Sequence, residues 1–291
     1  MSKILLFNAT GGQGRTIAHR LQNEGHEVIA PVRSEGKISA LKESGVEAFL
    51  TDFATDSLLP IIEKADKVVL QIPAQVTPKI MTDFAENSMK AIQKAGNPKT
   101  VFVISSTIAS AKTGVASVDA RFEMVELAKG HIPDAPILSS TEYLENFSTA
   151  YRQPIMENGV VPQTIPPTFE VNYLSWNDLA SYVLAALETE SLEGKIYPIG
   201  GNEGLTGNAL AERLGKVLGK ELHYAAVTHK QLEGILTPIL GPEVAKDYAE
   251  FYHWQDGDGA SLLNPDTAEL RKLLGITLPS FEEWAKQTFV I

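Results

Sequence analysis

The sequence predicts an α/β fold in which helices cover both faces of a parallel sheet, with a smaller, helix-rich lobe toward the C-terminus. Short apolar runs alternate with longer amphipathic segments through the first two-thirds of the chain. These runs are nearly continuous in valine, isoleucine, leucine and phenylalanine, which is typical of strands buried on both faces of a parallel sheet. Because strand and helix alternate strictly, we expect right-handed crossovers and a doubly wound sheet.

Seven apolar runs are the predicted strands of this sheet. They are ILLF (4–7), EVIAPV (27–32), EAFL (47–50), KVVLQI (67–72), TVFVIS (100–105), PILS (136–139) and KIYPIG (195–200). Two of the intervening helical segments, RTIAHRLQNEG and FAENSMKAIQKAG, end in Gly25 and Gly96. Glycine is common where a helix stops, because it adopts the left-handed conformation without strain. We therefore expect both glycines to cap helices.

Residues 140–175 contain prolines and little periodicity, so we expect loops that leave the sheet there. The segment WNDLASYVLAALE then predicts a helix capped by Asn177 or Asp178. Further on, residues 206–219 and 228–254 are predicted helices with the strand LHYAAV between them.

The last predicted helix follows Ser280 and Glu283, which have the spacing of a capping box before WAKQTF. From this order of elements we expect a nucleotide-binding domain over residues 1–140, completed by 172–200. Residues 141–171 and 201–291 would form the smaller substrate or partner lobe, above the carboxyl edge of the sheet where such folds bind ligands.

Composition excludes several classes of function. Zero cysteines exclude a disulfide framework, a thiolate metal site and a cysteine nucleophile. The net charge of −11, with scattered basic residues, argues against direct nucleic-acid binding. The apolar run near the N-terminus is too short for a signal-peptide core, and no run approaches the length of a membrane span. We expect a cytoplasmic protein.

The stretch NATGGQG (8–14) lies between the first strand and the first helix. In that context, backbone N–H groups and a helix N-terminus can face a diphosphate, as in the Rossmann dinucleotide fold. Gly11 and Gly14 have the G-x-x-G spacing, whereas Asn8 replaces the glycine of the tight turn. Asparagine is the residue other than glycine that best tolerates positive φ, so the turn survives. A fortuitous glycine-rich turn is the alternative.

Two cations after the second strand favour NADP over NAD. Arg33 and Lys37 stand where a carboxylate would bind the ribose 2′-hydroxyl of NAD, and a guanidinium suits a 2′-phosphate. The alternative is a pair of solvated surface charges. Asp52, at the end of the third strand, would reach the adenine amino group or else cap a turn.

The motifs along the chain together resemble the NmrA-like family. This atypical group of short-chain dehydrogenases/reductases includes NADP-binding regulators and quinone reductases. The features that carry the resemblance are the near-GATGGQG loop, VRSEGK, LTDF, VFVISS, SSTEYLENF, WNDLASYV, YPIGGNEGLTGNALAERLGKVLGK and the LLGITLPSFEEW ending.

This resemblance implies NADPH bound between the lobes. The residues that it assigns are Thr10, Gly11, Gln13 and Gly14 at the diphosphate, Arg33 and Lys37 at the 2′-phosphate, Asp52 at the adenine, and Gln71 and Ile72 near the nicotinamide half.

The usual proton-donating pair of the short-chain dehydrogenases is absent from the sequence. These enzymes use a tyrosine with a lysine four residues later, and none of the eight tyrosines here has one. Many NmrA-like proteins keep only the lysine, but Phe122 or a near neighbour occupies its place. Arg121 is the one cation nearby, and arginine does not release its proton. The family's Arg-Pro on strand six is also replaced, by Ser139-Ser140.

Three hydroxyl residues remain as catalytic candidates. Ser106 and Thr107 end strand five, where related dehydrogenases keep a catalytic serine; alternatively they bond local backbone. Tyr143, after strand six, would face the cleft as a proton donor or else pack as a partly buried tyrosine. No metal-binding spacing of histidines and no G-x-S-x-G motif occurs.

Two hypotheses about function follow. The first is an NADPH-dependent oxidoreductase that reduces a quinone or a small enone or carbonyl compound between the lobes, since water can protonate the hydroquinone anion without a Tyr–Lys pair. The second is a non-catalytic NADP(H) sensor that acts through a protein partner. A homodimer is a further possibility that the sequence leaves open.

Overall fold

A computed structural model describes residues 1–73 and 76–290. The strands in chain order are β1 (Lys3–Leu6), β2 (Glu27–Val32), β3 (Glu47–Leu50), β4 (Lys67–Gln71), β5 (Lys99–Ile104), β6 (Ile137–Ser140), β7 (Val160–Gln163), β8 (Glu170–Val171), β9 (Ile196–Ile199), β10 (Leu205–Thr206) and β11 (His223–Ala226). The helices are α1 (Gly12–Asn23), α2 (Gly36–Glu43), α3 (Thr55–Ile62), α4 (Pro78–Lys94), α5 (Ala116–His131), α6 (Glu145–Ser148), α7 (Arg152–Asn158), α8 (Trp176–Glu188), α9 (Gly207–Leu218), α10 (His229–Leu240), α11 (Pro242–Asp256), α12 (Ala268–Leu274) and α13 (Phe281–Phe289).

The central sheet has the predicted doubly wound topology. Its strand order within the described residues is β3-β2-β1-β4-β5-β6-β9. Every neighbouring pair in it is parallel. The order reverses between β1 and β4, and a crevice opens at such a point outside the carboxyl ends of the strands. The seven predicted strands are all in this sheet, with ends that differ by one residue at most.

Alternate side chains of each strand enter two separate cores, as expected for a sheet covered on both faces. Ile4 and Leu6 of β1 pack on one face with helices α1 and α8. Leu5 and Phe7 point to the other face, where helices α3, α4 and α5 cover them. The residues that lead into the turn after β1 are therefore held in place by packing on both faces of the sheet.

A third core lies outside the sheet, among α6 to β8 and β10 to α13, which we call the second lobe. Phe147, Tyr173, Leu210 and Trp284 are buried together there. Two short strand pairs frame this core, β7 with β11 and β8 with β10. The expectation of plain loops over residues 140–175 was wrong, because α6, α7, β7 and β8 lie within that segment.

The start of α8 differs from the prediction of an Asn177 or Asp178 cap. Ser175 is the N-cap, in an extended conformation, and its side chain accepts from the Asp178 N–H at 3.0 Å. Asp178 accepts in return from the Ser175 N–H at 2.8 Å, which completes a capping box. Trp176 is helical, so the cap lies two or three residues earlier than predicted.

Two helices end at the glycines predicted to cap them. Gly25 and Gly96 have φ of +82° and +86° directly after the caps of α1 and α4. Ser280 and Glu283 form the predicted capping box. The predicted helix over 228–254 is instead two helices, α10 and α11. They are separated at Gly241, whose φ of +82° is incompatible with a right-handed helix.

Helix α11 joins the second lobe to the sheet domain. Phe251 and Trp254 of α11 are buried against Val118 of α5. This contact places α11 above the carboxyl edge of the sheet. Among the described residues, no helix has the length and apolarity that crossing a membrane requires.

Candidate functional site

The loop after β1 has the tight turn that the sequence predicts. Asn8 has a φ of +59°, and its carbonyl oxygen accepts a hydrogen bond from the Gly11 N–H at 3.1 Å. A Cβ atom at Gly14 would lie 2.2 Å from that same oxygen. Only glycine at this position lets the first turn of α1 approach the loop so closely.

The N-terminus of α1 is suited to an anion. Its N-cap, Gly11, supplies no side-chain hydrogen bond, and the first turn contains no acidic residue. The helix dipole and its first N–H groups are thus free of an internal carboxylate partner. Gly12 packs on the Trp176 ring, where a Cβ would lie 2.2 Å from the nearest ring carbon. Thr10 is half-buried in the same loop.

A hydrogen-bonded triangle ties the loop to the ends of β4 and β5. The Ser105 hydroxyl donates to Gln13 Oε1 at 2.7 Å, and Gln71 Nε2 donates to the same Gln13 oxygen. Gln71 Nε2 also lies 3.2 Å from Ser105 Oγ. Within the described residues, Gln71 Oε1 is buried without a partner. The sequence pointed to Gln13 and Gln71, but it gave no signal for Ser105.

Arg33 and Lys37 lie on the surface beyond β2. Arg33 is exposed and holds its guanidinium over two rings, 5.1 Å from the Phe53 centroid and 5.9 Å from that of Phe84. In the part of the chain that the structure describes, neither cation has an ion-pair partner. Aromatic support without a carboxylate leaves the charge available to a phosphate.

Asp52 makes the turn contact that was its alternative role. Its Oδ1 accepts from the Ala54 N–H at 2.9 Å, just before α3. This hydrogen bond holds the pKa of the Asp52 carboxyl below its ordinary value. The adenine contact stays a prediction.

A cavity of about 360 Å³ opens at the carboxyl edge of the sheet, between the glycine loop and α11. One side is formed by Asn8, Gly11, Gly12, Gln13 and Ile72. The other side is formed by Arg121, Glu142, Asp247, Tyr248, Phe251 and Tyr252. The loop and the second lobe therefore face a single space.

Two of the three predicted catalytic residues line this cavity, but the hydroxyl oxygens of all three are buried. Tyr143 and Ser106 are among its lining residues, and Thr107 is not. All three hydroxyl oxygens are inaccessible to solvent. Burial also raises the pKa of Tyr143 to about 12, so its phenol is a weaker acid than usual. A catalytic role for these residues stays a prediction.

Two charged residues that we had not identified as catalytic face the cavity. Glu142 is 6% exposed, and burial raises the pKa of its carboxyl to about 7. Arg121 is also 6% exposed, and its guanidinium lies 4.6 Å from the centroid of the Phe251 ring. The only sequence signals were the position of Glu142 just after β6 and that of Arg121 beside Phe122, where the family's lysine is expected.

The model of the NmrA-like family matches residues 1–285 of this chain. Among curated proteins, the photosystem II assembly factor Ycf39 of Synechocystis sp. is 24% identical, over 87% of this chain and 76% of that protein. The NAD(P)H azoreductase of Xenophilus azovorans is 23% identical, over 84% of each.

Two solved structures have closely similar folds. The triphenylmethane reductase of Citrobacter sp., complexed with NADP(H), has a TM-score of 0.80 at 22% identity and covers 98% of this chain and 100% of its own. The NADPH-dependent quinone oxidoreductase of Escherichia coli, complexed with NADPH, has a TM-score of 0.79 at 20% identity, with coverage of 98% and 99%.

Proposed function

The chain belongs to the NmrA-like family, and on that premise we propose that it is an NADPH-dependent oxidoreductase. It reduces a quinone or a small enone or carbonyl compound in the cleft between the sheet and the second lobe. Residues 1–140, completed by 172–200, hold the cofactor, and residues 141–171 and 201–291 supply the acceptor side of the cleft.

The chain's residues fit NADP(H). The uncapped, acid-free N-terminus of α1 suits a diphosphate, with Asn8, Thr10, Gly11, Gln13 and Gly14 forming the turn around it. Arg33, supported by aromatic rings, and Lys37 suit the 2′-phosphate. Asp52 at the end of β3 would contact the adenine in this proposal. The unpartnered Gln71 Oε1, with Ile72 beyond it, offers an acceptor for a carboxamide.

One observation carries the oxidoreductase proposal more than any other. A single cavity is lined by the glycine loop on one side and by polar and aromatic side chains of α5 and α11 on the other. A protein that only sensed NADP(H) would need no polar residues on the far side. The residues there offer an acceptor both ring contacts and hydrogen bonds.

The cofactor, when bound, supplies a hydride to the acceptor. The chain's own residues bind the acceptor beside the cofactor, exclude water and control the transfer of one proton to the reduced acceptor. The second lobe excludes water by means of Phe251 and Tyr252, which wall the cavity. No tyrosine in the sequence has a lysine four residues later, so in this proposal the proton comes from another group or from water.

A non-catalytic NADP(H) sensor that acts through a protein partner is the second candidate. Four of the six curated relatives are named as photosystem II assembly factors. Here Ile235 and Ile239, one turn apart on α10, are 57% and 71% exposed. An exposed apolar pair of this kind is suited to a protein contact.

Turnover separates the two candidates. Purified protein would be assayed for NADPH consumption against a panel of quinones, enones and aldehydes, with NADH as the comparison. Saturable turnover that prefers NADPH supports the enzyme. Tight NADPH binding without turnover of any panel member would favour the sensor.

A further inference from the structure

The cleft contains a buried arginine and a buried glutamate that the cofactor does not need. Resting on the proposed function, we propose that Arg121 and Glu142 act together on the acceptor's oxygen. The Arg121 guanidinium holds that oxygen, and the Glu142 carboxyl gives it the proton that completes the reduction. The acceptor is a neutral aromatic or conjugated carbonyl compound, such as a quinone.

Arg121 is a buried cation with a backbone hydrogen bond and a contact with the ring of Phe251. Its Nη1 donates to the Ser117 carbonyl, one turn earlier in α5, at 2.7 Å. No carboxylate lies within ion-pair distance of it among residues 1–73 and 76–290. A guanidinium has five N–H donors, so Arg121 can donate further hydrogen bonds to a ligand in the cavity. Since Arg121 lines the cavity, a ligand oxygen there is the natural partner.

Glu142 lines the same cavity, and two of its side-chain hydrogen bonds are long. Asn146 Nδ2 and the Tyr252 hydroxyl lie 3.4 and 3.5 Å from its Oε2, at the limit of hydrogen bonding. Burial raises the pKa of its carboxyl to about 7, opposed by a hydrogen bond from Gln255. A carboxyl that titrates near neutral pH is suited to donate a proton there.

Charged and titratable groups face Glu142 from each element that packs around it. They are Arg121 of α5, Tyr143 after β6, Tyr151 just before α7, Tyr173 before α8, Tyr224 of β11, and Tyr248, Tyr252 and Asp256 of α11. The like charge of Asp256 strengthens proton retention on Glu142, whereas the positive charge of Arg121 weakens it. Arg121 also stabilises the carboxylate that remains after the proton has left.

The proton-transfer step balances without a further reagent. Hydride addition brings two electrons to the acceptor and leaves one of its oxygens as an anion. The O–H bond of the Glu142 carboxyl breaks, and a new O–H bond forms on that oxygen. Water returns a proton to Glu142 before the next turnover.

The surroundings favour a neutral acceptor over one that carries a carboxylate. Asp247 lines the same cavity as Glu142, and its carboxyl lies near Arg121. Because two carboxyl groups and one guanidinium line the cavity, it has no excess positive charge for an anionic substrate. The rings of Phe251 and Tyr252 suit a flat, conjugated molecule.

Kinetics across a pH series test the inference, with 1,4-naphthoquinone as the acceptor. We expect wild-type kcat to fall above about pH 7, where Glu142 loses its proton. Glu142→Gln should lose this pH dependence and lower kcat by about a hundredfold, with NADPH affinity unchanged. Glu145→Gln is the matched control, because Glu145 also has a pKa of about 7 but lies outside the cavity, against Trp176 and Trp284.

A binding measurement tests Arg121 without turnover. Binding of 1,4-naphthoquinone to the NADP⁺ complex should weaken about tenfold in Arg121→Gln and less in Arg121→Lys, which keeps a cation. Unchanged binding in both folded variants, or an unchanged pH profile in Glu142→Gln, overturns the inference while the oxidoreductase stands. A wild-type protein that binds NADPH but reduces no acceptor overturns the proposed function, and the proton transfer with it.

Discussion

At the scale of single residues, Asn8 decides whether the loop can form without its usual first glycine. Its φ of +59° is accessible to asparagine and strained for a β-branched residue. We expect Asn8→Gly to leave the free energy of unfolding nearly unchanged and Asn8→Val to lower it by about 1–2 kcal/mol. Urea unfolding of both variants measures this. Equal stability of the two would show that the backbone conformation is not what selects asparagine here.

We predict that Arg33 sets the preference between the two nicotinamide cofactors. Arg33→Ala should weaken NADPH binding by about tenfold or more and leave NADH binding nearly unchanged, because only NADPH carries the 2′-phosphate. Arg152→Ala is the control, since Arg152 also stacks on a phenylalanine ring, 5.1 Å from the Phe289 centroid, but in the second lobe. Calorimetric titration with both cofactors measures the effect. Equal losses for NADPH and NADH would contradict the assignment.

The residues that sequence analysis identified are those whose role follows from local position. Asn8 and Gly14 follow from the strand–loop–helix order, and Arg33 from the end of one strand. Glu142 could not be identified in this way, because its burial depends on Tyr252 and Gln255, more than a hundred residues later in the chain. A glutamate in a sequence carries no sign of such a neighbour.

At the scale of elements, we propose that the close contact between the loop after β1 and α1 allows the loop to bind the cofactor. Gly14→Ala would place a Cβ 2.2 Å from the Asn8 backbone oxygen, which α1 can avoid only by moving away from the loop. We expect a loss of stability and of NADPH binding together. Thermal unfolding and fluorescence titration with NADPH measure the two effects.

Gly130→Ala is the control for this substitution, because nothing lies within 4 Å of a Cβ at that helical position in α5. It should stabilise the protein by about 0.5–1 kcal/mol or leave it unchanged. If Gly14→Ala behaved like Gly130→Ala, the close approach would be irrelevant to binding.

The elements of the sheet could be predicted because their runs of buried aliphatic residues are a local signal. The second lobe was harder to predict. The strand β7 contains Pro162, and a proline usually argues against a strand. Among the described residues β7 pairs only with β11, so its other edge makes no hydrogen bonds to a strand and can accommodate a proline. The cap of α8 was misplaced because Trp176 does not resemble a first helical residue, although Ser175 and Asp178 had the required spacing.

At the scale of the whole molecule, buried carboxyls make stability depend on pH. Burial raises the pKa of Glu142 and of Glu145 from 4.5 to about 7. Between those values the folded protein retains protons that the unfolded chain releases, so these groups favour folding at low pH. Their contribution is lost as pH rises through about 7.

We therefore expect the free energy of unfolding to fall between about pH 5 and pH 8, and to fall less steeply in Glu142→Gln. Urea unfolding across this range measures the slope. Glu126→Gln, at an exposed position on α5, should leave the slope unchanged. A wild-type slope equal to that of Glu142→Gln would mean that Glu142 does not keep its proton in the folded protein.

We propose that one cleft holds NADPH and an acceptor together. A single-turnover experiment tests it most directly: NADPH is titrated into the protein to saturation, 1,4-naphthoquinone is added, and the absorbance of the reduced nicotinamide is followed. We expect one NADPH to bind per chain and to be oxidised much faster than in a protein-free control. Bound NADPH that stays reduced, with naphthoquinone and with every other acceptor, would contradict it.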